Sequence, residues 1–288
     1  MKKETTKKRI GIAFSGGIDS TALVIRNLKA GYDVTLLRYD IGNNWSKNIL
    51  ERKACDDIVQ QLKKDFPGRD INYSCRNNIE LNSCGLALPQ PVIWTSMLAM
   101  SEFNSWDKPE EIQIGYILND DAISYLVDIK KLYNKFTPFR NSPAPKLVFP
   151  LTKEPKQDLW KELKSVNDNY EQYNKMTVTC ENPNVDSSLF RDKYYAALHN
   201  HEWEFLKDLK ITECGNCHTC DKKVKHFGKE YLYNTCDDVK KELTLQNAED
   251  YPVSGLESGI EEFVESEEFL HSEQKEEKTE KIYSNLLD

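Results

Sequence analysis

Two clusters in this 288-residue chain hold residue types that could do chemistry. The first is Ser15-Gly16-Gly17-Ile18-Asp19-Ser20. Adjacent glycines let a backbone pass close to a polyphosphate, and unpaired N–H groups at a helix start point at its oxygens. The Ser15 and Ser20 hydroxyls add donors. Asp19 cannot help a bare anion, so a carboxylate there points to a bound Mg2+ or to a structural hydrogen bond. The second cluster is Cys214-Gly215-Asn216-Cys217-His218-Thr219-Cys220, three of the chain's 8 cysteines in one Cys-x2-Cys-x2-Cys knuckle. Three thiolates so spaced suit a soft tetrahedral cation, chiefly Zn2+, which needs a fourth ligand. Cys180 is the candidate, with His199 and His201 as competitors, and His218 is expected to point outward. An iron–sulfur cluster and free structural thiols are the alternatives. A zinc with four protein ligands has no open position, so its role would be structural. The isolated Cys55, Cys75, Cys84 and Cys236 read as buried small hydrophobes.

The elements around these clusters alternate. Arg9–Phe14 reads as a short buried strand running straight into the Ser-Gly-Gly turn. A helix follows from about Ser20 to Lys29, with Gly31 as its stop. Val34–Tyr39 reads as a second strand, Ser46–Lys64 as a helix, Ile71–Tyr73 as a strand, Val92–Phe103 as a helix, Glu111–Ile117 as a strand and Asp121–Phe136 as a helix. Pro138–Pro150, with four prolines, reads as an ordered loop, and Gln157–Ser165 as a short helix. Strand–helix alternation implies an α/β fold: a Rossmann-like parallel sheet with helices on both faces. Glu181–Glu213 has a helical, polar-aromatic character. No solenoid repeat is present.

Charge divides the chain. Residues 237–288 hold 16 acidic and 5 basic residues, a net of −11, while the whole chain is −8, which leaves about +3 for the first 236 residues. A bulk nucleic-acid binder would show a basic body, whereas a near-neutral one suits an anionic nucleotide in one local pocket. No apolar stretch is long enough to span a membrane, and the run Ile10–Phe14 is too short for a signal core. The expectation is a cytoplasmic, zinc-compatible setting with no membrane association.

The string Ser-Gly-Gly-x-Asp-Ser after a first strand resembles the PP-loop of N-type ATP pyrophosphatases, within the adenine nucleotide alpha hydrolase fold. Two further matches support that resemblance. Tyr39-Asp40-Ile41-Gly42 resembles the class's string near the adenine, and Pro150-Leu151-Thr152-Lys153-Glu154-Pro155-Lys156 fits its Pro-Leu-x4-Lys spacing. Lys156 is thereby a candidate phosphate contact, with Lys153 as backup and a solvated lysine as the plain alternative. With Met176-Thr177-Val178-Thr179-Cys180 and the knuckle added, residues 9–235 resemble the 7-cyano-7-deazaguanine synthase (QueC) family. Ile112–Asp120 is similar to that family's Gly-x4-Asp segment, which puts Gly115 and Asp120 near the pocket. The resemblance implies ATP-driven conversion of 7-carboxy-7-deazaguanine and ammonia to the nitrile, with ATP and Mg2+ in the pocket. Asp19 and Lys156 would be catalytic. Ser15, Gly16, Gly17, Asp19, Ser20, Tyr39, Asp40, Gly115, Asp120 and Lys156 would bind nucleotide. Zn2+ would be held by Cys180, Cys214, Cys217 and Cys220.

This sequence departs from the family near the substrate. Pro89-Gln90-Pro91-Val92 stands where the family has Pro-Gly-Arg-Asn, Asn43-Asn44-Trp45 where it has Gln-Arg-His, and its Tyr-Pro-Asp-Cys-Arg string is absent. The 33 residues between Cys180 and Cys214 replace a short loop. A changed base, a changed amine donor or both would follow. Similar proteins are encoded beside antiviral defence genes, so an amine on a protein partner is one reading, gripped by the 181–213 insertion or the acidic tail. That insertion carries Phe190, Arg191, Tyr194, Tyr195, Trp203 and Phe205, residue types found at interfaces or packed on their own domain. A non-catalytic nucleotide-binding scaffold is another reading, and a tRNA-thiolating PP-loop enzyme a third. The expected organisation is an ATP-binding domain over 1–175, a zinc-binding segment with helical insertion over 176–236 and an acidic extension over 237–288, in a homodimer.

Overall fold

The computed structural model describes residues 8–41, 44–79, 90–103, 108–118, 120–156, 158–159, 170–185, 189–207 and 209–233. Gly42, Asn43, Cys84, Pro89, Cys236, most of Gln157–Ser165 and the acidic extension lie outside them.

Five strands form one parallel sheet: β1 (Arg9–Ala13), β2 (Asp33–Ile41), β3 (Ile71–Ile79), β4 (Glu111–Gln113) and β5 (Lys146–Val148), in the order β3-β2-β1-β4-β5. Ile10 pairs with Val34 on one side and Glu111 on the other. The chain therefore winds outward from β1 to β3, then crosses back to build the other half. The reversal lies between β1 and β4, where doubly wound sheets bind ligands outside the strands' carboxyl ends.

Side-chain alternation divides the core. Val34 and Leu36 face the helices α1 (Ile18–Lys29) and α2 (Trp45–Asp65), packing with Ala22, Ile25, Cys55 and Ile58. Leu37 and Tyr39 face α3 (Gln90–Met100) and α4 (Leu126–Phe136), packing with Trp94, Leu98, Ile129 and Tyr133. Asn44 caps α2, its side chain accepting from the Lys47 N–H at 3.1 Å.

Several expectations change: the strand expected over Ile71–Tyr73 continues to Ile79, and the helix expected over Val92–Phe103 is Gln90–Met100. Pro138–Pro150 contains β5, paired with β4 through Ile112 and Leu147; three residues between Pro145 and Pro150 are too short a pattern to stand out. β4 ends at Gln113 instead of Ile117, because the chain leaves the sheet at Gly115 to run beside Asp19. Asp121–Phe136 starts as a 3-10 turn, Asp121–Tyr125, before α4.

Beyond the sheet come α5 (Tyr170–Met176), β6 (Asn184–Val185), α6 (Leu189–Asn200), β7 (Ile211–Thr212) and α7 (His218–Phe227). β6 and β7 pair antiparallel. This module shares a third core cluster with α2, through Ile49, Leu50 and Ala54 against Val178, Tyr194, Leu206 and Ile211. Among the described residues no helix is long and apolar enough to cross a membrane.

Candidate functional site

The turn after β1 is shaped for close approach. Gly16 has φ +77, and a Cβ there would lie 3.0 Å from Cys55 Sγ and 3.3 Å from the Glu51 carbonyl of α2. A side chain would be both strained and crowded. Gly17 is the N-cap of α1 in extended conformation, with no side-chain cap. The first-turn N–H groups of α1 are thus left for an anion. Ser20 Oγ lies 3.2 Å from Ser15 Oγ and donates to the Gly17 carbonyl at 3.1 Å, which sets both hydroxyls beside the loop.

Three charged groups meet above this loop. Lys156 Nζ donates to Asp19 Oδ2 at 3.4 Å. Asp19 Oδ1 is buried without a hydrogen-bond partner. Burial pushes the Asp19 carboxyl above its ordinary value, Lys156 opposes that, and the charge of Asp120 adds to it. Asp120 caps the 3-10 turn, accepting from the Ala122 N–H at 3.0 Å. Lys156 is held by its own segment: Glu154 accepts from both terminal nitrogens of Arg26 at 2.6 Å each, a fork that ties Pro150–Lys156 to α1. Of the two lysines expected here Lys156 reaches Asp19, and Lys153 is exposed. Gly115 completes the wall, since a Cβ there would sit 3.5 Å from the Asp19 backbone. An orphaned carboxylate oxygen, a second carboxylate nearby and a lysine fit a Mg2+–nucleotide better than a bare anion.

Tyr39 and Asp40 are placed differently. The Tyr39 hydroxyl is hydrogen-bonded to Ser101, and its ring meets Trp94 edge-on at 5.5 Å. Asp40 is 1 % exposed between two arginines: Oδ2 accepts from Arg52 at 2.7 Å, and Oδ1 lies 2.9 Å from Arg38. Both side chains are turned to partners inside the fold, so at these two positions it is the backbone that faces a nucleotide's needs. The arginines were not legible from the sequence as partners for Asp40.

The four cysteines converge. The sulfurs of Cys180, Cys214, Cys217 and Cys220 all lie within 4.8 Å of one another. A tetrahedral zinc with Zn–S of about 2.3 Å sets its sulfurs roughly 3.8 Å apart, so the donor set fits. Gly215, at φ +72, makes the knuckle's turn. Cys217 is the N-cap of α7, and Cys220 lies in its first turn, its thiol pushed up by the hydrogen bond to Cys180 and by burial. A hydrogen bond from Cys220, with the Cys214 N–H assisting against burial, pulls the Cys180 thiol down to about 6. His218 is exposed, as expected, and His201 is not in the group; the His199 side chain lies outside the description.

Beneath the cysteines lies a buried pair that went unread in the sequence. Glu213 Oε1 accepts from the Thr179 N–H at 2.7 Å and the Cys180 N–H at 3.1 Å. Its Oε2 accepts from Lys223 at 2.7 Å and the Tyr233 N–H at 2.9 Å. Burial lowers the Lys223 ammonium, against the pull of Glu213. Lys223 sits three residues after Cys220 and one before Val224, on the buried face of α7. A lysine at that helical position required a partner, and this was the available signal.

The insertion's aromatics pack inward. Tyr194 is 1 % exposed and accepts from Asn48 at 3.0 Å, Trp203 lies 3.5 Å from the Arg52 guanidinium, and Phe190 stacks on Phe205. Tyr195 and Arg191 remain exposed. Cys55 is wholly buried, as expected; Cys75 is partly buried, and burial pushes its thiol up to about 11.

The comparisons with known proteins are distant. No protein-family model matches the chain. Argininosuccinate synthase of Thermoplasma volcanium is 27% identical over 132 residues, 43% of this chain and 33% of that one. The same enzyme of Staphylococcus aureus is 28% identical over 104 residues, 33% of this chain and 26% of that one. The chain thus spans about a third or less of the length of these curated relatives. The solved structure of NMN synthetase from Francisella tularensis overlays with a TM-score of 0.35 and 16% identity, over 67% of this chain and 84% of that one. The sheet order and loop, with the similarity to argininosuccinate synthases, point to the PP-loop ATP pyrophosphatase superfamily. Nothing in these similarities singles out the 7-cyano-7-deazaguanine synthase family within it.

Proposed function

We propose that this chain is an ATP-dependent carbon–nitrogen ligase that adenylates the carboxylate of a 7-carboxy-7-deazaguanine and passes the acyl group to an amine. One observation carries the reading: Cys180 joins the Cys214–Cys220 knuckle two residues after Val178, which bonds to Gly16 of a phosphate loop whose Asp19 is met by Lys156. That combination is the one by which the sequence resembles the deazaguanine nitrile synthases. The similarity to argininosuccinate synthases supports the broader assignment to a synthetase or ligase.

The chemistry suits the parts. A carboxylate is a poor electrophile until its oxygen becomes a good leaving group. Its attack on the α-phosphorus of ATP releases pyrophosphate, whose charge the N–H groups of α1, Ser15, Ser20 and Lys156 would hold. Asp19 and Asp120 would bind Mg2+, which when present neutralises phosphate charge. The amine then attacks the acyl carbon and AMP leaves, giving an amide. With ammonia as the amine, the amide oxygen would attack a second ATP with release of pyrophosphate, and departure of AMP carrying that oxygen, with loss of the two amide protons to solvent, would give the nitrile. Zn2+ on the four cysteines would hold the fold. The unpartnered Asp19 oxygen disfavours a mere scaffold, since a carboxylate buried at a cost suits a working site better. The raised Cys55 and Cys75 thiols are poor nucleophiles, which disfavours thiolation through either.

A second reading, with the amine on a protein, is favoured by the insertion between Cys180 and Cys214, which presents Arg191 and Tyr195 to solvent. Mass spectrometry separates the two after incubation with ATP and carboxy-deazaguanine, once with ammonia and once with candidate proteins. A nitrile or free amide from ammonia supports the small-molecule ligase. A covalent base–protein adduct supports the second reading. Failure to adenylate the base in both incubations removes both.

A further inference from the structure

The cysteine cluster and the phosphate loop are joined by four residues. Cys180 ends the segment Thr177–Cys180, and one residue inside it the Val178 N–H donates to the Gly16 carbonyl at 3.0 Å. A Cβ on Gly17 would lie 3.6 Å from the Val178 carbonyl, so the segment runs against both loop glycines. Thr177 is also held by the preceding helix, its N–H donating to the Tyr173 carbonyl and its hydroxyl to the Asn174 carbonyl, and the buried pair holds three further backbone groups. Glu213 accepts from Thr179 and Cys180, and Lys223 donates to the Thr177 carbonyl at 2.5 Å. Glu213 and Lys223 themselves lie on the Cys214 side of the cluster, at 4 % and 3 % exposure. The segment is therefore fixed at one end by a metal ligand, along its length by one carboxylate and one ammonium, and at the loop by a backbone hydrogen bond.

We propose that Glu213 is a positioning residue through which metal occupancy and nucleotide binding support each other: the ion fixes Cys180, Glu213 holds Thr179 and Cys180 in register, and Val178 thereby fixes Gly16 for phosphates. This rests on the ATP and zinc reading above. The physical argument is one of shared ordering. Whichever site is filled first orders Thr177–Cys180, and the second ligand then binds to a segment already in place. Linkage makes the effect reciprocal: nucleotide must tighten metal by the factor by which metal tightens nucleotide.

The test uses the full chain loaded with zinc. Zinc transfer to a colorimetric chelator is followed with and without a non-hydrolysable ATP analogue and Mg2+, while analogue binding is measured separately by calorimetry. Coupling predicts zinc loss slowed by about 5-fold or more at saturating analogue, within the usual range of coupling energies. In Glu213→Met, which keeps the side chain's length but offers no oxygen to the Thr179 and Cys180 N–H groups, protection should fall toward 1-fold although zinc still binds at one per chain. Val178→Ala, which keeps the N–H, should retain the wild-type protection and controls for loss of packing. Analogue binding with unchanged zinc loss in the wild type overturns the coupling and leaves the proposed function standing. Full protection in Glu213→Met overturns the role of Glu213. A zinc-loaded chain that binds no analogue overturns the ATP reading and this inference with it. A purely structural Glu213 would lower stability without erasing the difference between the two zinc-loss rates, and that difference is the deciding readout.

Discussion

The phosphate loop and the cysteine knuckle are bridged by the segment Thr177–Cys180, yet they treat polar groups in opposite ways. At the knuckle the bonding capacity is spent. Glu213 accepts from Thr179, Cys180, Lys223 and Tyr233, and Lys223 also donates to Thr177. At the phosphate loop capacity is held back. No side chain caps α1, Asp19 keeps one buried oxygen without a partner, and its carboxyl is pushed up by burial. Satisfied groups hold a fold together, and unsatisfied ones cost stability unless a ligand meets them. The contrast separates a region built to hold shape from one built to bind and react.

Exchanging one side chain on each side should give the largest and most opposed effects. Asp19→Asn should cut ATP consumption by at least about 100-fold, the scale seen when one group stabilising transition-state charge is lost. It should leave the thermal midpoint unchanged or raise it, because a partly buried carboxylate whose charged form desolvation disfavours is replaced by a neutral amide. Lys223→Met should do the reverse in the fold, costing about 3–5 kcal/mol by leaving Glu213 buried without its cation. Steady-state ATP turnover and chemical denaturation of both variants check the pair. An Asp19→Asn protein that is destabilised but active would reverse the assignment of the two regions.

The Arg26–Glu154 fork lies between these extremes. Its side chains are 34% and 30% exposed, so solvent screens the pair and its stability contribution should stay below about 1 kcal/mol. Its position matters more. Glu154 lies two residues before Lys156, and releasing it frees the lysine that meets Asp19. Arg26→Ala should lower kcat/KM for ATP by about 10-fold, the scale of a modest misplacement, with a nearly unchanged melting point. A wild-type kcat/KM would show that Lys156 is positioned by other contacts.

The same contrast explains what the sequence disclosed. The α/β alternation and the Ser15–Ser20 loop were legible because a parallel sheet forces apolar runs and a phosphate loop forces adjacent glycines. The Cys214–Cys220 knuckle was legible because its spacing is local, while Cys180, 34 residues before Cys214, was singled out by its Thr179-Cys180 context and not by spacing. β5 was hidden because Lys146–Val148 is three residues among prolines and is stabilised by β4, not by its own pattern. The partners of Asp40 were hidden because Arg38 and Arg52 reach it from a strand and a helix. The insertion's aromatics fit an interface or a core equally well by type, and only packing against Arg52 and Asn48 shows which use Trp203 and Tyr194 serve.

The smallest expected effect sharpens the comparison through pH. Ionised Asp19 is the form that would meet Mg2+ and the phosphates, so the acid limb of kcat/KM for ATP should report its titration in the free enzyme. Burial raises that carboxyl, Lys156 lowers it and Asp120 raises it. Asp120→Asn should therefore move the acid limb to lower pH, and Lys156→Met should move it to higher pH on a reduced rate. Stability follows the same sign. A carboxyl whose folded value lies above its unfolded value binds protons more tightly in the folded state. Stability therefore falls as pH rises between the two values and stays lower above them. Most paired carboxylates behave in the opposite way. Asp19→Asn should remove this falling segment from the stability–pH curve, while Asp120→Asn should narrow it. If the acid limbs of Asp120→Asn and Lys156→Met both coincide with the wild type, Asp19 does not titrate in the working range. The unpartnered oxygen would then belong to the resting fold and not to catalysis.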